Sequence, residues 1–252
     1  IGQLRDQGYK TALYSPFKGQ VPADKVVFEA TGFEDVNYGD TRPDIGGPHL
    51  PGSGGNDLRT FDWLAKDVSQ WAKPQQPFAV AFFPQVGHGP WSPELGKTVK
   101  ERGAKLAKMQ LDWLGQIVDI LRAEGQLDNT VIVLTGDHGI RTTAEDPQVK
   151  VGMINWYSFH VPLLIYAPRA DYSRVDPKMQ TSHVDIPAEL DELFGLQRSP
   201  AAQGISLHHP DHATRRSFLM AGWYYGANGY RDPGEAVMYS DLLDAAYART
   251  HS

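Results

Sequence analysis

The chain has no cysteine among its 252 residues. That removes disulfides, thiolate metal sites and a cysteine nucleophile, and is compatible with an oxidising compartment. It has no apolar run approaching the roughly 20 residues that span a bilayer, and no stretch that reads as a signal peptide, so as given it is expected to be soluble. It has no excess of positive charge either. Against 30 Asp and Glu stand 24 Lys and Arg, a net charge of −6 that is scattered rather than blocked. Nucleic acid is therefore not an expected partner. Repeats and low-complexity segments are also lacking. What remains is long enough to bury a full core: one α/β domain over residues 1–252, with residues 200–252 as a C-terminal appendage of the same domain.

The most informative stretch is Val131-Ile-Val-Leu-Thr-Gly-Asp137-His138-Gly139. A β-branched run of this kind suits a strand covered on both faces, as in a parallel sheet flanked by helices. Open α/β sheets bind ligands beyond the carboxyl ends of such strands. Asp137 and His138 would stand there side by side as candidate ligands for a divalent ion, with Gly139 allowing a sharp turn. The alternative is a strand-end turn in which Asp137 only caps the next segment.

Around this stretch, Ile1 to Tyr9 reads as the end of an amphipathic helix and Lys10 to Tyr14 as a strand. The chain thus begins in mid-fold, and an upstream segment is expected. Residues 20–60 are rich in Gly, Pro, Asp and Asn and show neither helical nor strand period, which predicts a long loop or lid carrying His49. Leu58, Phe61, Leu64, Val68 and Trp71 fall at helical spacing before Pro74, and Phe78 to Phe83 is a second buried strand running into His88. A long helix over 103–124 followed by a short loop and the 131–135 strand makes half a βαβ unit, which predicts parallel strands. Val161 to Ala167 is a further strand preceded by His160, and Val184 to Phe194 a helix stopped by Gly195. In the tail, Ser217 to Ala221 and Ala236 to Tyr239 are expected as edge strands, with a last helix near 241–249. Trp63, Trp71 and Trp113 lie on helical stripes and read as core.

The remaining histidines divide by context. His183 precedes a helix, where packing or capping competes evenly with a functional role. His208, His209 and His212 read as a solvated loop more readily than as a metal site, because no regular element fixes their geometry.

The order of these pieces resembles the sulfatase branch of the alkaline phosphatase superfamily. Four elements carry the resemblance: Gly8-Tyr9-Lys10-Thr11; Pro77-Phe78 through His88-Gly89-Pro90; Leu111-Asp112 to Leu127-Asp-Asn-Thr130 leading into Thr135-Gly-Asp-His-Gly139; and His160-Val-Pro-Leu-Leu-Ile with Val184-Asp-Ile-Pro187 downstream. It implies an alkaline phosphatase-like fold, with a mostly parallel central sheet flanked by helices and a small C-terminal antiparallel edge. It further implies that Asp137 and His138 ligate a catalytic divalent metal (Mn, Zn, Ca or Mg) and that His88 contacts the transferred phosphate or sulfate. His160 occupies a place where phosphoethanolamine transferases have a His and many sulfatases an Arg; its alternative is a polar strand-start residue.

The departures refine what the resemblance implies. Family members carry an upstream strand with an acidic metal ligand and then a nucleophile, and neither segment is in this chain. Sulfatases tend to continue Gly-Tyr-x-Thr into Gly-Lys-Trp-His, whereas here Tyr14-Ser15-Pro16-Phe17-Lys18-Gly19 follows. Lys18 could substitute for the missing sulfate grip only with a rearranged loop, and otherwise is a solvated lysine. Gly32-Phe33 and the His-x-Pro-aromatic turn are more similar to lipoteichoic acid synthase and its phosphoglycerol and phosphoethanolamine transferase relatives. The expectation is a sulfuric or phosphoric ester hydrolase or phosphotransferase working through a covalent intermediate. Its substrate would be an anionic ester, lipid- or glycan-linked, and His49 could reach it from a lid. The resemblance also implies a periplasmic or cell-surface location and a membrane tether upstream. The alternative is an inactive sulfatase-like module that binds an anionic lipid or glycan.

Overall fold

The computed structural model describes residues 1–16, 22–39, 57–73, 76–87, 91–139, 159–221, 227–232, 234–240 and 245–250. Two compact units divide the chain, Ile1–Thr130 and Val131–Ser252.

The first unit runs α1 (Gly2–Asp6), β1 (Lys10–Ser15), α2 (Pro22–Ala30), β2 (Asp35–Tyr38), α3 (Asp57–Ala72), β3 (Phe78–Phe82) and α4 (Val99–Ala123). Its sheet has the order β2-β1-β3, with both pairings parallel. Parallel neighbours need crossovers rather than hairpins, and α2 and α3 supply them. β1 is central and buried from Thr11 to Ser15. Its one charge, Lys10, sits at the entrance, where Nζ meets Asp35 at 2.8 Å. On α3, Phe61, Leu64, Val68 and Ala72 recur every three or four residues and are all buried. Phe61 stacks on Trp113 of α4 at 5.3 Å, Phe82 meets the same indole at 5.8 Å, and Trp63 meets Tyr14 edge-on at 5.7 Å. Trp63 and Trp113 are thus core, as expected, and Trp71 is half-buried against Phe78.

Two expectations for this unit are corrected. The helix expected from 103 begins at Val99, because Thr98 accepts from the Glu101 amide while the Glu101 carboxylate accepts from the Thr98 amide. This reciprocal capping box satisfies donors that the first turn leaves orphaned. The long loop expected over 20–60 contains α2 and β2. β2 reads Asp-Val-Asn-Tyr, poor strand composition, and exists through its ladder to β1 and the burial of Tyr38. Phe28 of α2 packs against Phe83 at 5.8 Å and Tyr38 at 6.4 Å. Residues 40–56 lie outside the described residues.

The second unit runs β4 (Ile132–Thr135), β5 (Leu163–Tyr166), α5 (Asp185–Phe194), β6 (Ser217–Ala221), β7 (Ala227–Arg231), β8 (Glu235–Ser240) and β9 (Ala245–Thr250). α5 stops at Gly195 in the left-handed conformation, as expected. β4 was expected to be a buried strand in a parallel sheet; its described partner is β5, antiparallel, with Thr135 opposite Leu163, and it is only half-buried. Helix-loop-strand spacing does not encode pairing direction, which depends on the edge from which the chain returns. β6 to β9 form an antiparallel sheet in sequence order. β8 is therefore interior rather than the edge expected. The helix expected near 241–249 is replaced over Ala245–Thr250 by β9, while 241–244 lie outside the described residues. Three alanines favour a helix locally, but a six-residue ladder to β8 outweighs that small propensity. Together the units give the expected α/β architecture: parallel strands with flanking helices, and antiparallel strands towards the C-terminus.

Candidate active site

In the second unit the β4 strand ends and the chain turns through Gly136-Asp137-His138-Gly139. Asp137 Oδ1 accepts a hydrogen bond from the His138 amide at 2.8 Å. His138 Nδ1 lies 2.9 Å from the Gly139 carbonyl oxygen, which can only accept, so Nδ1 carries the proton. The Nε2 lone pair is left for a ligand, the arrangement by which a backbone carbonyl fixes the tautomer of a metal-binding imidazole. Nε2 stands 3.6 Å from Asp137 Oδ2, and both side chains are a little over half exposed, 55% and 58%. That separation is below twice a metal–ligand bond of roughly 2.1 Å, so both atoms can reach one ion. An imidazole nitrogen and a carboxylate oxygen suit Zn or Mn, and the pair fits the expected cation as part of its shell. Among the described residues no third His, Asp or Glu completes a cluster.

Antiparallel pairing brings the entrance of β5 to this same turn. With Thr135 opposite Leu163, the segment His160-Val161 runs alongside Gly136 to His138. Val161 Cγ1 would lie 3.5 Å from a Cβ added at Gly136. His160 is exposed at that end of the strand pair. His183, for which packing and a functional role are equally expected, has its Nε2 2.7 Å from the Gly136 carbonyl oxygen. Just beyond, Asp185 is buried, accepting from the amides of Ser182 at 2.8 Å and Ile205 at 3.0 Å and from the Arg215 guanidinium. Burial lowers the Arg215 pKa.

In the first unit, three parallel strands leave from one sheet edge, and the segments following β1, β2 and β3 carry Lys18, His49 and His88. Those three residues lie outside the described residues. The approach to His88 is well defined. Asp57, at the start of α3 and 1% exposed, accepts from the amides of Gln85 at 2.6 Å and Val86 at 3.1 Å through one oxygen. Its other oxygen is buried and has no hydrogen-bond partner among the described residues, and burial raises its pKa against the lowering effect of backbone amides. Gln110 of α4 donates to the Val86 carbonyl at 2.9 Å, and the Trp91 indole to the Gly87 carbonyl at 2.8 Å. Gly87 has φ 115, and a Cβ there would come within 3.3 Å of Gln110 Nε2. This turn requires glycine.

The histidine-rich segment is exposed over residues 208–211, as the solvated-loop expectation has it, and departs from it at His212. His212 is 4% exposed, with Nε2 at 3.2 Å from the Ile205 carbonyl. His208 lies against Tyr172 at 4.9 Å and 3.8 Å from buried Glu189, which also accepts from Tyr172 Oη at 2.5 Å and from the Leu207 amide at 2.7 Å. Burial and this carboxylate raise the Tyr172 pKa. His209 accepts from the Asp211 amide and so caps the following turn. His208 and His212 thus tie this segment to Glu189 of α5, to Tyr172 and to the Ile205 carbonyl, contacts that no local sequence pattern encodes.

Residues 1–196 match the family described as Sulfatase. Arylsulfatase K of Danio rerio is 28% identical over 167 residues, covering 62% of this chain and 32% of the relative. The chain thus spans about a third of that curated relative's length. Among solved structures, an alkaline phosphatase superfamily protein from Vibrio parahaemolyticus aligns with TM-score 0.71 and 19% identity, over 100% of this chain and 60% of the other. The lipoteichoic acid synthase LtaP from Listeria monocytogenes aligns with TM-score 0.71 and 16% identity, over 98% of this chain and 64% of the other. The shared fold is alkaline phosphatase-like. A match across the parallel sheet, the Asp137-His138 turn and α5 makes this chain a member of the sulfatase family.

Proposed function

We propose that this chain is the metal-binding part of an enzyme that cleaves or transfers a phosphate or sulfate ester group. The observation carrying the proposal is the turn after β4, where Asp137 Oδ2 and His138 Nε2 stand 3.6 Å apart with the opposite imidazole nitrogen tied to a carbonyl. A divalent ion bound there would supply Lewis acidity to an ester oxygen and lower the pKa of a hydroxyl nucleophile. The remaining ligands would come from outside the described residues, and the nucleophile from an upstream segment. Its oxygen bonds to phosphorus or sulfur as the bond to the leaving alcohol breaks. His88 and His160 would donate to the non-bridging oxygens, or give a proton to the departing alkoxide. Water or an alcohol then takes the group from the enzyme.

The proposed substrate is an anionic ester on a lipid or glycan, the class that the family resemblance implies. An extracytoplasmic location is part of the same proposal, as the family resemblance implies. The test is a side-by-side assay of the longest natural form on an aryl sulfate, an aryl phosphate monoester and an aryl phosphodiester, with and without chelator. Chelator-sensitive turnover, slowed in the His88→Ala and His160→Ala variants, is expected. Silence on all three esters would transfer support to a module that binds an anionic lipid or glycan.

A further inference from the structure

We propose that His183, which belongs to no part of the Asp-His-Gly turn, is the positioning residue that aims the Asp137 carboxylate, by donating its Nε2 proton to the Gly136 carbonyl. The proposal rests on the metal-centre reading of Asp137 and His138. A carbonyl oxygen accepts only, so the 2.7 Å contact places the proton on His183 Nε2. The peptide whose oxygen is held is the one that joins Gly136 to Asp137, and its plane sets the direction in which the Asp137 side chain leaves the backbone. Here the strand gives little help. The β4–β5 ladder ends at Thr135 opposite Leu163, and among the described residues the other side-chain donor to that oxygen, Thr135 Oγ1, is at 3.4 Å. Gly136 itself imposes the least conformational restriction of any residue.

A strut is useful only if its own base is rigid, and the base of His183 is built on buried charge. Asp185, 1% exposed, holds the Ser182 amide on one side of His183 and the Ile205 amide on the other chain segment, and pairs with Arg215, whose side chain is 13% exposed. Gly204 lies so close that a Cβ there would collide with the Val184 carbonyl oxygen. The segment Ser182 to Asp185 is thereby clamped against residues 204–205 before α5 begins. From this clamp the imidazole spans to Gly136, 47 positions away in sequence. The same logic governs partners of metal-ligand side chains, whose removal weakens metal binding by about 10–100-fold.

Metal affinity of the longest natural form, measured by calorimetry with Mn²⁺ and Zn²⁺, tests this without reference to turnover. His183→Ala should bind at least about tenfold more weakly, the low end of that range, while its metal-free thermal midpoint stays at the parental value. His183→Gln, whose side-chain amide can donate from nearly the same position, should recover most of the loss. Asp137→Ala serves as the reference for the metal centre. If Asp137→Ala abolishes binding while His183→Ala binds like the parent, the positioning role is overturned and the metal reading stands. If the parent binds neither ion, both fall together. An equal loss in the Ala and Gln variants would also overturn the proposal, since it would mean the ring's bulk and not its donated proton matters.

Discussion

Asp57→Ala removes the acceptor that holds the turn before His88. In the parent one carboxylate oxygen takes both the Gln85 and Val86 amides, at 2.6 and 3.1 Å, in a site that is 1% exposed. Truncation leaves the buried Val86 amide and the part-buried Gln85 amide unsatisfied, and a fully buried donor costs about 1–3 kcal/mol. A local loss of about 3 kcal/mol is expected, which at tenfold per 1.4 kcal/mol is on the order of a hundredfold in the opening equilibrium. Hydrogen exchange over residues 84–91 in the intact protein reads that directly. Asp57→Asn separates charge from geometry, because its carbonyl oxygen can still accept while the desolvation penalty disappears. Burial raises the native pKa of Asp57 above its ordinary value of 3.8. The folded state therefore takes up this proton at higher pH than the unfolded chain does. Ionised Asp57 detracts from stability above the raised pKa, and the penalty is relieved as pH falls through it towards 3.8. The parent should gain on Asp57→Asn as pH falls through that window, and Asp57→Asn should be at least as stable near neutrality. Unchanged exchange in Asp57→Ala would refute the assignment of this carboxyl as the anchor of the turn.

Gly204→Ala drives a methyl into the Val184 carbonyl oxygen, a backbone atom that cannot step aside as a flexible side chain could. A loss of at least about 3 kcal/mol, the upper part of the overpacking range, is expected by urea unfolding, with metal affinity reduced in the fraction that folds. Saturating the longest natural form with its cation at a hundred times Kd should stabilise it by about 2.7 kcal/mol, and chelator should remove that gain. In Asp137→Ala neither addition nor removal should move the thermal midpoint.

Elements written in local composition were legible. The β-branched run ending in Asp137-His138-Gly139 marked a strand and its loaded turn, and Gly195 marked the end of α5. The heptad-like recurrence of Phe61, Leu64 and Val68 marked α3 and its buried face. The start of α4 was also written locally, in Thr98 and Glu101, and needed only the capping box to be read. β2 was illegible because Asp35 and Asn37 argue against a strand, and its stability comes from pairing with β1. β9 misled for the opposite reason, since its alanines suit a helix that the ladder to β8 overrides.

Sequence by itself determined which side chains can do chemistry and on which turns they stand: Asp137 and His138 after one strand, His88 after another, His160 before a third. Tertiary structure alone decided what surrounds them. It set β4 and β5 antiparallel, so that His160-Val161 returns beside the Asp137 turn, and it joined His183 to Gly136 across 47 positions. Local propensity acts over a few neighbouring residues through backbone sterics and side-chain spacing. A hydrogen bond from a clamped imidazole to a distant carbonyl depends on two segments meeting, and only burial and pairing of the whole unit bring them together.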